Sequence, residues 1–174
     1  MNAAAVVAAS LLSISLTSVS AQGLNDAQIA SIVVTANQVD IDAGELAKSR
    51  ASGLEVRNFA QLMVTDHTAV NKSATDLVTT LKVTPQDNST SQGLKSDGDR
   101  NLAHLRTLKG AAFDKAYVDH EVVYHQKVTE ALDKILIPGA SNEALKALLI
   151  KVRPAFVAHL EHAKQLQSST EHGR

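Results

Sequence analysis

From Ile29 to Leu166 the apolar residues of this chain recur at steps of three and four, the repeat of a helix with one buried face. Ile29, Val33, Ala36, Ala43 and Ala47 mark a first stripe. Val56, Phe59, Met63, Val70, Ala74, Leu77 and Leu81 mark a second. A third apolar sector holds Tyr117, Tyr124, Val128, Leu132 and Ile135, and a fourth runs through Leu145, Leu148, Leu149, Val152, Phe156, Ala163 and Leu166. The punctuation agrees: Asn25-Asp26 reads as a helix start, Ser52-Gly53 and Pro138-Gly139 as breaks, and Ser141-Asn142-Glu143 as another cap. The polar, turn-rich stretch 85–98 reads as a loop or crossover, followed by a short helical piece around Leu102, Leu105 and Leu108. The expected fold is all-α, a four-helix bundle with a short extra helix between helices two and three. It occupies one domain over 22–174, with its core at about 26–167. Aromatics make up only 3% of the 174 residues and Trp is absent, so the core is built from Ala, Val, Leu and Ile, which suits closely packed helices.

Ionisable residues interrupt these stripes where a core belongs. Asp40 lies in line with Val33 and Ala36, His67 falls between Met63 and Val70, and His159 between Phe156 and Ala163. On the third helix Glu121 falls within the apolar sector, and His125 sits at its edge one turn on. The segment His120-Glu121-x-x-x-His125 resembles a metalloprotease helix, but its spacing is one residue too long. At about 100° per residue the two imidazoles point about 140° apart, so they cannot chelate as a protease pair does. Counting residues from the turns near Ser52 and Gly139 brings Asp40, His67, Glu121, His125 and His159 to compatible depths. Unpaired, each charge would be costly in an apolar core; gathered around a cation, they form a metal site in a bundle.

Seven histidines and no cysteine restrict such a site to imidazole and carboxylate ligands, suited to zinc, iron, manganese or copper(II). The expected cofactor is therefore a transition metal ion, zinc among the candidates, held by Asp40, His67, His125, His159 and Glu121. His104, His120 and His172 are expected to face solvent, and His162 to flank the site as a supporting partner. Two other readings use the same residues: a packing cluster in a non-enzymatic envelope stress or interaction protein, and a pH switch. No reaction follows from the sequence. A net charge of -1 gives no basic surplus for nucleic acid. Gly-rich phosphate loops, Cys-x-x-Cys and Gly-x-Ser-x-Gly are all missing.

Residues 1–21 carry no charge and end in Val19-Ser20-Ala21, the small-residue pattern of a signal-peptide cleavage site, although the usual basic start is lacking. Cleavage after Ala21 is expected, giving a periplasmic or secreted protein with no membrane span after cleavage.

Three longer stretches carry a family likeness: "GELAKSRASGLEVRNFAQLMVTDHTAVN" from Gly44, "GAAFDKAYVDHEVVYHQKV" from Gly110 and "RPAFVAHLEHAKQL" from Arg153. They resemble the domain of unknown function 4142 family of exported bacterial helical-bundle proteins, over about Asp26 to Gln167. The resemblance aligns Phe59, Met63, Asp66, His67 and Asn71 with the family's second-helix motif. Phe113, Asp114, Tyr117 and His125 align with that of the third, and Pro154 and His159 with that of the fourth. Asp40 stands where the family often has glutamate. Family members commonly have Met near Glu121, so the resemblance favours Asp40, His67, His125 and His159 as the shared set. It implies an exported ferritin-like bundle and names no activity.

Overall fold

The computed structural model describes residues 23–172, with side chains to 169. The expected leader at 1–21 and the side chain of His172 lie outside the described residues. Within them the chain is helical: α1 (Asp26–Arg50), α2 (Leu54–Thr80), α3 (Ser89–Thr107), α4 (Gly110–Ala131), a π-helical turn (Leu132–Leu136), a single turn α5 (Ile137–Gly139) and α6 (Glu143–His172). No described helix is long and apolar enough to cross a membrane.

The contacts fix the helix directions. Gly44 of α1 faces Ala60 and Val64 of α2, while Asn37 faces His67, so α1 and α2 run antiparallel. Asp119 and Asp133 of the α4 segment meet Gln167 and Arg153 of α6, so these run antiparallel too. Tyr124 reaches the Ala36 carbonyl, placing α4 beside α1. α3 runs alongside α1 in the same direction, tied to it by Asn88 to the Gln28 carbonyl at one end and by Arg50 to the Arg106 carbonyl at the other. It thereby returns the chain along the whole bundle, and α2 and α4 point the same way.

Two carboxylates pin the bundle from opposite ends. Asp26, in the first turn of α1, accepts from the Ser141 and Asn142 backbone N–H groups at 2.8 and 3.0 Å, just where α6 begins. Asp114, just past the first turn of α4, accepts from Ser52 N, Ser52 Oγ and Gly53 N at 2.9, 2.6 and 2.7 Å. Gly53 has no side chain with which to cap α2, so α4 supplies the acceptors that the orphan N–H groups of a helix start require. Each pin fixes the height of one helix against another.

Two expectations need correction. The stretch 85–98 is mostly helix, and the short extra helix is 19 residues long. Asn88 opens it with a capping box: its side chain accepts from Thr90 N and Ser91 N, and Ser91 Oγ accepts from Asn88 N. Its buried residues are Ser91, Gly98 and Leu105, a seven-residue repeat made mainly of small side chains, so a hydrophobic pattern does not reveal it. Ile135, assigned to the apolar sector of the third helix, is 52% exposed. The π-turn inserts one extra residue per turn, and Leu136 takes the inward position instead, at 5% exposure.

The apolar core is divided. One cluster gathers Ala43, Ala47, Phe59, Met63, Phe113, Tyr117 and Ala163. The other gathers Ile29, Ile32, Ala74, Leu132, Leu149 and Phe156. Between the two clusters every main helix contributes a buried polar residue: Asn37 and Asp40 on α1, His67 on α2, Glu121 and His125 on α4, and His159 on α6, all at least 96% buried.

Gly44 lets α1 approach α2 closely beside this layer. A Cβ there would stand 2.9 Å from Val64 Cγ2 and 3.1 Å from the Ala60 carbonyl oxygen, a backbone atom that cannot step aside. Gly44→Val adds bulk without the helix propensity that alanine would gain. It is expected to destabilise the fold by about 2 kcal/mol, read as a lower urea midpoint by circular dichroism.

Candidate metal centre

The polar layer brings together all five residues singled out from the sequence. His67 Nε2 lies 2.8 Å from Asp40 Oδ2, His125 Nε2 lies 3.3 Å from the same oxygen, and the two Nε2 atoms are 3.4 Å apart. One ligand atom each from His67, His125 and His159 fall within 4.8 Å of one another, and so do those of Asp40, Glu121 and His125.

The other ring nitrogens show which atoms are free. His67 Nδ1–H donates to Asn37 Oδ1 at 2.8 Å. Asn37 is itself oriented, because its Nδ2 donates to the Val33 carbonyl at 2.8 Å. His125 Nδ1 is 3.1 Å from the Glu121 carbonyl oxygen, which can only accept, so this nitrogen also carries a proton. Glu121 Oε2 lies 3.3 Å from the same Nδ1. In their neutral forms, therefore, both rings turn a bare Nε2 lone pair toward Asp40. Neither Asp40 oxygen accepts a well-formed hydrogen bond, despite the 2.8 Å approach of His67. Three lone-pair atoms thus converge on one buried point, and positive charge must be supplied there by a proton or by a metal cation.

The donor set fits a metal. Separations of 2.8, 3.3 and 3.4 Å are close to the edge of about 3.3 Å that ligands at about 2.0–2.1 Å from a tetrahedral zinc would span. His159 is arranged the other way round: its Nε2–H donates to Asp66 Oδ2 at 2.9 Å, and its Nδ1 is buried without a partner. Each imidazole thus has one nitrogen held by an oxygen acceptor and one left free, the pattern that sets ring orientation and tautomer in metal sites. Glu121 stands behind His125, on the Nδ1 side, with both carboxylate oxygens buried and without a hydrogen bond of good geometry.

The electrostatics match the geometry. Burial would raise the Asp40 carboxyl, but the imidazoles of His67, His125 and His159 outweigh it and hold Asp40 below the usual range. Burial would lower His125; the Glu121 carboxylate, the Asp40 charge and the Glu121 carbonyl overcome it and raise the imidazole to about 9. His159 is lowered, first by burial and then by repulsion from the other two rings, against the pull of Asp66. Tyr117 and Tyr124 are pushed well up by burial and by the same two carboxylates.

Two supporting residues escaped the sequence reading. Asn37 is a polar residue on the stripe one turn before Asp40, and that position was its available signal. Asp66 is marked in the sequence by the family likeness alone, and its link to His159 across two helices has no local signature. His120 is not solvent-facing as expected: it is half-buried, stacked on Tyr124 with ring centroids 5.6 Å apart, and its Nδ1 lies 3.9 Å from Glu121. Its ring cannot join His125 on the free Nε2 side, as the helix spacing requires. His104 is exposed. His162 packs edge-on to Phe59 at 5.0 Å, one turn away from the polar layer.

An all-helical bundle with a buried histidine–carboxylate layer is the class that fold and site define. The chain belongs to the family described as Domain of unknown function (DUF4142), whose profile matches residues 15–166. Searches of curated proteins and of solved structures found no match.

Protonated His125 stabilises the metal-free fold fully below its unfolded value of about 6.5, and that contribution is lost as pH rises through about 9. With a chelator present, the urea midpoint is expected to fall between these two pH values. The size is a few kcal/mol at most. The fall should flatten in a His125→Gln variant; an unchanged midpoint in the wild type would mean that His125 is not the group that carries the proton.

Proposed function

We propose that this protein is an exported, ferritin-like bundle that holds one divalent transition-metal ion in its polar layer. His67, His125, His159 and Asp40 are the ligands, and Glu121 orients His125 from behind. The observation that carries the reading is the convergence of His67 Nε2, His125 Nε2 and Asp40 Oδ2 on one buried point, with neither Asp40 oxygen in a well-formed hydrogen bond. An all-nitrogen and oxygen set of this kind suits zinc, and four protein ligands make a closed site that clamps the fold rather than opening a position to substrate. The ferritin-like assignment is supported by the antiparallel pairs α1–α2 and α4–α6 and by the single long crossover through α3. A diiron oxidase is disfavoured, because Glu-x-x-His pairs are missing from the sequence. Export is supported by the uncharged leader and its Val19-Ser20-Ala21 ending.

Elemental analysis of untagged protein from a periplasmic fraction tests both parts. About one equivalent of metal is expected in the wild type and none in a His67→Ala/His159→Ala variant, with Gln22 as the N-terminal residue. Zinc added at about a hundredfold above its dissociation constant should stabilise the chelated wild type by about 2.7 kcal/mol. A wild type that takes up no zinc, copper, iron or manganese would overturn the metal reading, whatever the variant does. The polar layer would then be a packing device.

A further inference from the structure

α3 rests on α1 and meets α4 only sparsely, so a slot of about 460 Å³ opens between the three helices. That volume lies within the range of about 300–1,000 Å³ typical of small-molecule sites. No proposed metal ligand lines the slot; Asn37, Tyr124 and Phe156 form the wall that separates it from the polar layer.

The slot has two unlike ends. α3 and α4 run antiparallel from their shared turn, so Arg100, Asn101 and His120 stand at similar heights. Thr90 and Ala131 stand about 16 Å further along, at 1.5 Å per residue. The first end is polar, and it holds donors that are not satisfied. Asn101 Nδ2 is a buried donor with no acceptor, and His120 Nδ1 is buried without a hydrogen bond, its nearest charge the Glu121 carboxylate at 3.9 Å. Arg100 stands beside them, paired with Asp97. The far end is aliphatic, closed by Val128, Leu149 and the π-turn residues Leu132 and Leu136. Lys127 adds a second cation to the wall, with no ion-pair partner among the described residues, so the lining holds two cations and one carboxylate.

We propose that this slot binds an alkyl monocarboxylate, its carboxylate at Asn101, Arg100 and His120 and its chain laid along the aliphatic wall toward the π-turn. The acceptor oxygens of the head satisfy the orphan Asn101 donor, and its charge matches the cationic excess. The aliphatic lining takes the tail. The site needs no metal in the neighbouring layer, so its test stands or falls independently of the metal reading.

The experiment is calorimetric titration of the full mature protein with sodium dodecanoate below its micelle concentration, beside dodecyltrimethylammonium, which has a tail of the same length and the opposite charge. Saturation at one dodecanoate per chain is expected, with the quaternary ammonium weaker by about tenfold or more. Asn101→Asp should weaken dodecanoate by a similar factor, and Ala131→Trp, which fills the tail end, should abolish binding. No saturable binding of dodecanoate to the wild type would overturn the proposal. So would equal binding of the two head groups, or dodecanoate binding that survives Ala131→Trp. The head-group comparison on the wild type decides the matter even where a variant fails to fold.

Discussion

The Asp40 carboxylate is the constraint around which this bundle is organised. It is 1% exposed, lies against His67 and His125, and has no well-formed hydrogen bond of its own. A carboxylate in that position is costly unless positive charge meets it. The surrounding residues supply that charge or prepare a place for it. Asn37 and the Glu121 carbonyl hold the Nδ1 protons of two rings, so that both Nε2 atoms face Asp40. The apolar clusters above and below exclude water from the layer, which strengthens every charge interaction within it.

Holding six polar residues from four helices at one height requires the helices not to slide. Propensity does not provide that, since a helix packed on apolar faces alone can shift by a turn at modest cost. The Asp26 and Asp114 pins supply the missing specification. One ties the start of α6 to the start of α1; the other ties the start of α2 to the start of α4. The close approach at Gly44 sets the distance between α1 and α2 next to Asp40. These contacts lie near the helix ends and at a glycine, away from the layer they position.

The sequence made the main helices and the layer legible because both rest on periodicity. Asp40, His67, Glu121, His125 and His159 are visible as interruptions of apolar stripes, and their depths follow from counting residues between turns. What the sequence left obscure depends on pairings and on geometry that breaks the period. Helix α3 buries Ser91, Gly98 and Leu105, a strip too small and too polar to read as a hydrophobic face. Ile135 turns outward because the π-turn displaces the register by one residue. The tie between Asp66 and His159 spans 93 residues and two helices, and nothing local to either residue announces it. His120 reads as solvent-facing in the sequence, whereas stacking on Tyr124 draws it inward.

Charge balance connects the two protonation states of the layer with its proposed ion. Asp40 and Glu121 bring two carboxylates into a region enclosed by apolar side chains, with three imidazoles around them. In the metal-free protein the proton bound by His125, whose pKa rises to about 9, offsets one of those charges. The proposed divalent cation at the converging Nε2 atoms and Asp40 would offset both, and would displace the proton, since a ligating imidazole must be neutral. The same arrangement that makes His125 hold a proton strongly therefore makes the layer a better match for a doubly charged ion than for a proton. Glu121 would serve both states from the same side: it raises the basicity of His125 through Nδ1, which favours the proton in the metal-free protein and would strengthen the ring as a ligand to the proposed ion.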